Sequence, residues 1–228
     1  MIRAVPFKGE DSHPVFKSKA ALAALIPLGI AACSTPNGQI TDIGITATRS
    51  ACPAVAIPAA TGDITLFNPE GSRDASAIDV VANITNVRAT CTGEGTGQIV
   101  TEVTFDVQAR RSDSRGARTV TLPYFAAIVQ GSTNIVAKRV RPVTLTFADG
   151  AYRTNTAAAA TSRVSRTAAT LPDDVRRQIT RERRPGAADA AIDPMSDPAV
   201  RAAVERAKFE VMLGFELTPD QLRYNATR

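Results

Sequence analysis

Ile99-Val-Thr-Glu-Val-Thr-Phe-Asp-Val-Gln-Ala-Arg110 is the stretch whose reading decides the fold class. Ile99, Thr101, Val103, Phe105, Val107 and Ala109 fall on one side of an extended chain. Val100, Glu102, Thr104, Asp106, Gln108 and Arg110 fall on the other. A repeat of two, with one apolar and one largely polar row, is the pattern of a strand with one dry and one wet face.

Working outward, Thr41–Thr48, Asp63–Phe67, Ala77–Thr90, Arg118–Val129, Ile135–Val140 and Val143–Phe147 share this enrichment in Val, Ile and Thr. Turn residues separate them at 68–72, 92–97, 112–116 and 131–134. Strands at such spacing predict a mainly β fold, an immunoglobulin-like or fibronectin-like β-sandwich. Pro123 and Pro142 fall inside apparent strands and mark edges or bulges there.

From Ala148 the pattern changes. Residues 148–171 are rich in Ala, Thr and Arg with weak periodicity, room for one irregular strand around Thr161–Thr170. Pro172-Asp-Asp174 opens a helix running to about Arg184, with acidic residues at its positive end and only Val175 and Ile179 for an apolar face. Residues 185–196 read as a loop. Asp197 then caps a better helix, with Pro198 first and Val200, Ala203, Val204 and Ala207 on one face. Phe209–Leu217 reads as the last strand, so residues 172–208 form a helical excursion before it. Thr218-Pro-Asp-Gln221 is a capping box that opens a final helical turn. The stretch Gly214-Phe-Glu-Leu-Thr-Pro-Asp-Gln-Leu-Arg-Tyr-Asn225 resembles the ending of some uncharacterised exported proteins of Gram-negative bacteria. That resemblance implies architecture and no chemistry.

At the other end, Lys17 and Lys19 precede an apolar run of about 12 residues closed by Ile30-Ala-Ala-Cys33, the layout of an export signal. A membrane span needs about 20 apolar residues, and this run also contains Pro27. Ile30-Ala31-Ala32-Cys33 resembles the lipobox of bacterial lipoproteins. The resemblance implies that residues 1–32 are a cleaved signal peptide and that Cys33 carries the lipid. Residues 33–38 would then be a tether before a domain at 39–228. Ser34 implies delivery to the periplasmic face of the outer membrane. Glu10 and Asp11 sit badly in such a leader and point to a start near Val15.

The leader holds four of the 27 basic and two of the 22 acidic residues, which leaves a mild net charge of +3. That does not point to nucleic acid. Aromatic residues make up 5% of the chain and Trp is absent, which argues against sugar-binding and base-stacking surfaces. The one histidine, His13, falls in the leader. A mature chain without histidine has no Ser-His-Asp or Cys-His catalysis and no histidine-based zinc site. With Cys33 lipidated, Cys52 and Cys91 remain. In an oxidising compartment an even pair predicts a disulfide.

Arg176, Arg177, Arg181, Arg183 and Arg184 crowd one predicted helix. They form either a site for an anionic lipid or acidic partner or a solvated face balanced by Asp173, Asp174 and Glu182. The Gly93, Gly95 and Gly97 run reads as a hairpin turn, because a phosphate cradle needs a helix after it. Tyr124, Phe125 and Phe215 read as core. No catalytic constellation, metal cluster or cofactor motif stands out. The expectation is a non-enzymatic envelope lipoprotein that binds another envelope component. The alternative is an envelope hydrolase using carboxylates or a Ser-Lys pair, with Lys138 and Lys208 the lysines left after the leader.

Overall fold

The computed structural model describes residues 39–41, 44–46, 50–93, 97–181, 186 and 191–227. The leader, Cys33, the tether 33–38, Arg183 and Arg184 lie outside the described residues.

Among the described residues there are ten strands: β1 (Gln39–Thr41), β2 (Gly44–Thr46), β3 (Ala54–Ala56), β4 (Asp63–Phe67), β5 (Ile78–Thr92), β6 (Gln98–Arg111), β7 (Arg118–Gln130), β8 (Asn134–Phe147), β9 (Arg153–Ser165) and β10 (Phe209–Phe215). Four helices follow β9 or β10: α1 (Arg166–Ala169), α2 (Asp173–Thr180), α3 (Pro198–Ala207) and α4 (Pro219–Thr227). The protein is mainly β. One four-stranded sheet has the order β3-β10-β7-β8 and the other β4-β5-β6-β9, while β1 and β2 pair with each other. The chain changes sheet after β3, β6, β8 and β9. All pairings are antiparallel except β3 with β10.

The quoted stretch behaves as read. Along β6 every second residue from Ile99 to Ala109 is buried, and the row between them is more exposed. Phe105, Leu122, Leu145, Phe147, Leu213 and Phe215 fill the space between the sheets with Val80, Val103, Val107 and Val211. Tyr124 is also core, its ring edge-on to Phe105 at 5.1 Å. Phe125 is not. It is half-buried on the outer face of its sheet, because strand alternation turns Tyr124 inward and its neighbour outward.

Several boundaries differ from expectation. Thr41–Thr48 is not one strand, since Gln39–Thr41 and Gly44–Thr46 pair back on each other. Ile135–Val140 and Val143–Phe147 are one strand, β8, continuous through Pro142. Pro142 stands directly opposite Pro123. Neither has an N–H, so both fit a rung where the two strands exchange no bonds. The weakly periodic segment holds a regular 13-residue strand, β9, and only then the short helix α1. Its alanines at 157–160 carry equal hydropathy on both faces, so the repeat of two vanishes from the sequence. β10 ends at Phe215, two residues before the expected Leu217.

The helical excursion forms its own small core. Val175 of α2 packs with Val200, Ala203 and Val204 of α3, joined by Leu171, Ile179 and Met195. Asp197 caps α3 by accepting from the Ala199 N–H at 2.8 Å. The excursion is fastened to the β7–β8 turn, where Gln130 Nε2 donates to the Arg206 carbonyl at 2.8 Å and the Gly131 N–H to the Lys208 carbonyl at 2.9 Å. Gly131 has φ +64°, a turn conformation that other L residues rarely adopt.

Candidate functional site on an open strand edge

A sandwich has four edge strands, and unpaired edges must be covered or short if they are not to pair with other chains. β3 has three residues. β4 is covered by α4, where Asn225 Nδ2 donates to the carbonyls of Ala60 and Asp63 at 2.9 and 2.8 Å. Tyr224 of α4 stands edge-on to Phe67 of β4 at 5.1 Å. The capping box that starts this helix is formed, with Thr218 and Gln221 exchanging hydrogen bonds of 2.9 and 3.2 Å. β9 is tied to the other sheet, its own Thr154 Oγ1 donating to the Thr146 carbonyl of β8 at 2.7 Å and its Ala159 carbonyl accepting from Tyr124 Oη of β7 at 2.9 Å.

The last contact explains the fourth edge. Tyr124 belongs to β7, so at this level β9 lies against β7 and β8 has no facing strand among the described residues. The consequence is visible in burial. From Val143 to Phe147 β8 alternates buried and exposed, but all nine residues from Asn134 to Pro142 are exposed on both faces. Ile135 is 61% exposed, Val136 46% and Val140 51%. Large apolar side chains on a bare edge are the feature to explain, since single exposed apolar residues are common but a run along one strand is not.

Pairing with β7 fixes which side each residue takes. Arg139 and Arg141 stand opposite Ala126 and Tyr124, residues that turn toward the core. Val140 and Lys138 stand opposite Phe125 and Ala127, on the outer face. Beyond a register shift at Ile128/Val129, Ile135 stands opposite Val129, also outward. Lys138 is already engaged. Its Nζ lies 2.7 Å from a Glu216 carboxylate oxygen and 4.9 Å from the centre of the Phe125 ring. Arg139 and Arg141 make no ion pair among the described residues. Since Pro142 sits on a non-bonded rung, alternation turns the N–H and C=O of Val140 and Lys138 toward the open side. This edge therefore offers main-chain donors and acceptors, two guanidinium groups without an ion pair among the described residues on one face and apolar side chains on the other.

The other expected site residues lie elsewhere. Cys52 and Cys91 are joined in a disulfide, with Cα atoms 6.1 Å apart. Of the α2 arginines, Arg176 is bound to Asp173 at 2.6 Å, Arg177 is exposed in the last turn and Arg181 follows the helix. The helix ends at Thr180 and not near Arg184. A shallow depression of about 360 Å³ lies on the outer face of the other sheet, lined by Asn83, Gln108, Asn155, Arg110 and Arg153. Asn83, Gln108 and Asn155 form one rung across three strands. Among the described residues no group of three or more His, Cys, Asp or Glu could hold a metal, and no helix is long and apolar enough to cross a membrane. No family model, curated protein or solved structure matches this chain.

The open edge was not singled out in the sequence, although a signal was there. Ile135-Val-Ala-Lys-Arg-Val-Arg141 has β-branched residues and cations on both rows and no alternation. A strand with no dry face has no facing sheet.

Proposed function

We propose that this chain is a non-enzymatic lipoprotein of the bacterial cell envelope whose β-sandwich holds another envelope component. The observation that carries the reading is the bare half of β8 in a domain whose other edges are short or met by side chains and a helix. An exposed sheet edge can take up an extended segment of another protein as an added strand. The lipobox-like Ile30–Cys33 supports attachment to the periplasmic face of the outer membrane. The Cys52–Cys91 disulfide suits the oxidising compartment that export implies. Two four-stranded sheets with repeated changes of sheet support the finer assignment to an immunoglobulin-like sandwich.

Two experiments test the reading. A clickable fatty acid should label the wild type and not Cys33→Ser, and equal labelling of both would remove the anchor. Crosslinking in intact cells, followed by purification through a C-terminal tag, should recover an envelope complex reproducibly. Turnover of a cell-wall, glycan or lipid substrate by the purified protein, lost on changing one carboxylate or lysine, would replace the binding module with an enzyme.

A further inference from the structure

We infer that the strand accepted at Asn134–Pro142 is an extended protein segment alternating acidic and apolar residues. The inference deepens the binding-module reading and rests on it. An added strand lies in the plane of the sheet about 5 Å from β8 and presents alternate side chains to its two faces. On the inward face it runs beside Arg139 and Arg141, which have no carboxylate partner among the described residues. On the outward face it runs beside Val140 and Ile135, which are exposed. Lys138 stands between these two and is engaged by Glu216, so it does not call for a second acid on that face. One face of the incoming strand must therefore supply carboxylates and the other apolar surface.

The same residues disfavour a second copy of this edge. In an antiparallel two-fold pairing centred on Arg139 or Val140, Arg139 and Arg141 stand opposite or diagonal to the arginines of the copy, and like charges so placed are destabilising. Cations and a proline on an edge are devices that stop self-pairing. Here they leave acidic strands as the acceptable ones.

The test uses the full chain carrying Cys33→Ser and two fluorescent ten-residue peptides, one alternating Glu with Val and one alternating Lys with Val. The acidic peptide should bind at least about tenfold tighter than the basic one, as expected for two screened charge pairs gained against two repulsions. Hydrogen exchange should slow at residues 134–142 when it binds. Arg139→Glu with Arg141→Glu should invert the preference. Both side chains are exposed, so the thermal midpoint should stay put and show that the fold survives. Val140→Pro removes an N–H from the open side and should abolish binding of either peptide. Equal affinity for the two peptides, no binding of either, protection outside 134–142, or binding of anionic vesicles in place of peptide would overturn the proposal. An envelope complex that survives the double charge reversal would do the same while leaving the binding module standing.

Discussion

Arg111 is a buried cation held by carbonyls instead of by a carboxylate. It is 4% exposed and lies 5.1 Å above the centre of the Phe147 ring. Nε donates to Ala151, Nη1 to Gly116, and Nη2 to Ser114 and Ala148, at 2.6 to 2.9 Å. Those acceptors belong to the two connections that cross between the sheets, after β6 and after β8, so one side chain closes that end of the sandwich. Arg111→Leu should lower stability by about 3 kcal/mol, because it strands several part-buried carbonyls, and denaturant unfolding would show it. Arg111→Lys should recover little, since an ammonium cannot reproduce the planar fork. Nearby, the Arg115 guanidinium and then its backbone N–H bind Asp113 and lower its carboxyl pKa to about 2. A lowered folded value means that this contact helps above the unfolded pKa, about 3.9, and is lost as pH falls through 2. Asp113 is fully exposed, so the effect will show as a titration and not as a large stability change. Carboxyl NMR should place the Asp113 midpoint near 2 and move it upward in Arg115→Ala.

At the scale of elements, β10 does more for the fold than its seven residues suggest. It is inserted between β3 and β7, and Val211, Leu213 and Phe215 reach the core with at most 1% exposure. Truncation after Lys208 should therefore yield insoluble or protease-sensitive protein, and a soluble, cooperatively unfolding product would contradict this topology. Gly214 lets β10 pass under the loop before β4. A Cβ there would collide with Thr61 and stand 2.9 Å from the Phe125 ring. Gly214→Ala should cost about 2 kcal/mol as an overpacking change, measured from the denaturation midpoint. Such crowding leaves no trace in a sequence pattern, whereas burial does. β6, α3 and the α4 capping box were legible because period, cap and proline act within a few residues of one another. β9 was not, because alanine on both faces erases the period. The bare half of β8 was hidden for a longer-range reason. Whether a strand has a facing partner depends on where Tyr124 and Ala159 meet, 35 residues apart.

Across the whole molecule, the sandwich is closed by different means at its two ends. Arg111 holds one with hydrogen bonds, and the Cys52–Cys91 disulfide holds the other. The bridge links the approach to β3 in one sheet with the far end of β5 in the other. Around it Ile99, Val164 and Ala169 form a small cluster with Ala51, Cys91, Ile128 and Phe209. The sequence separation of 39 residues sets the expected contribution. Closing a loop of that size should remove about 4 kcal/mol worth of chain entropy from the unfolded state. Domains of this size are stable by about 5–15 kcal/mol, so the bridge supplies a large share without being a condition of folding. Cys52→Ala with Cys91→Ala should stay folded at 25 °C, with secondary structure unchanged and an unfolding free energy, from denaturant titration, lowered by about 4 kcal/mol. The cluster around the bridge keeps its other apolar members, so lost packing should add little. A loss below about 1 kcal/mol would mean that the unfolded chain already keeps these two segments together, and the closure at this end would then owe more to the apolar cluster than to the covalent bond.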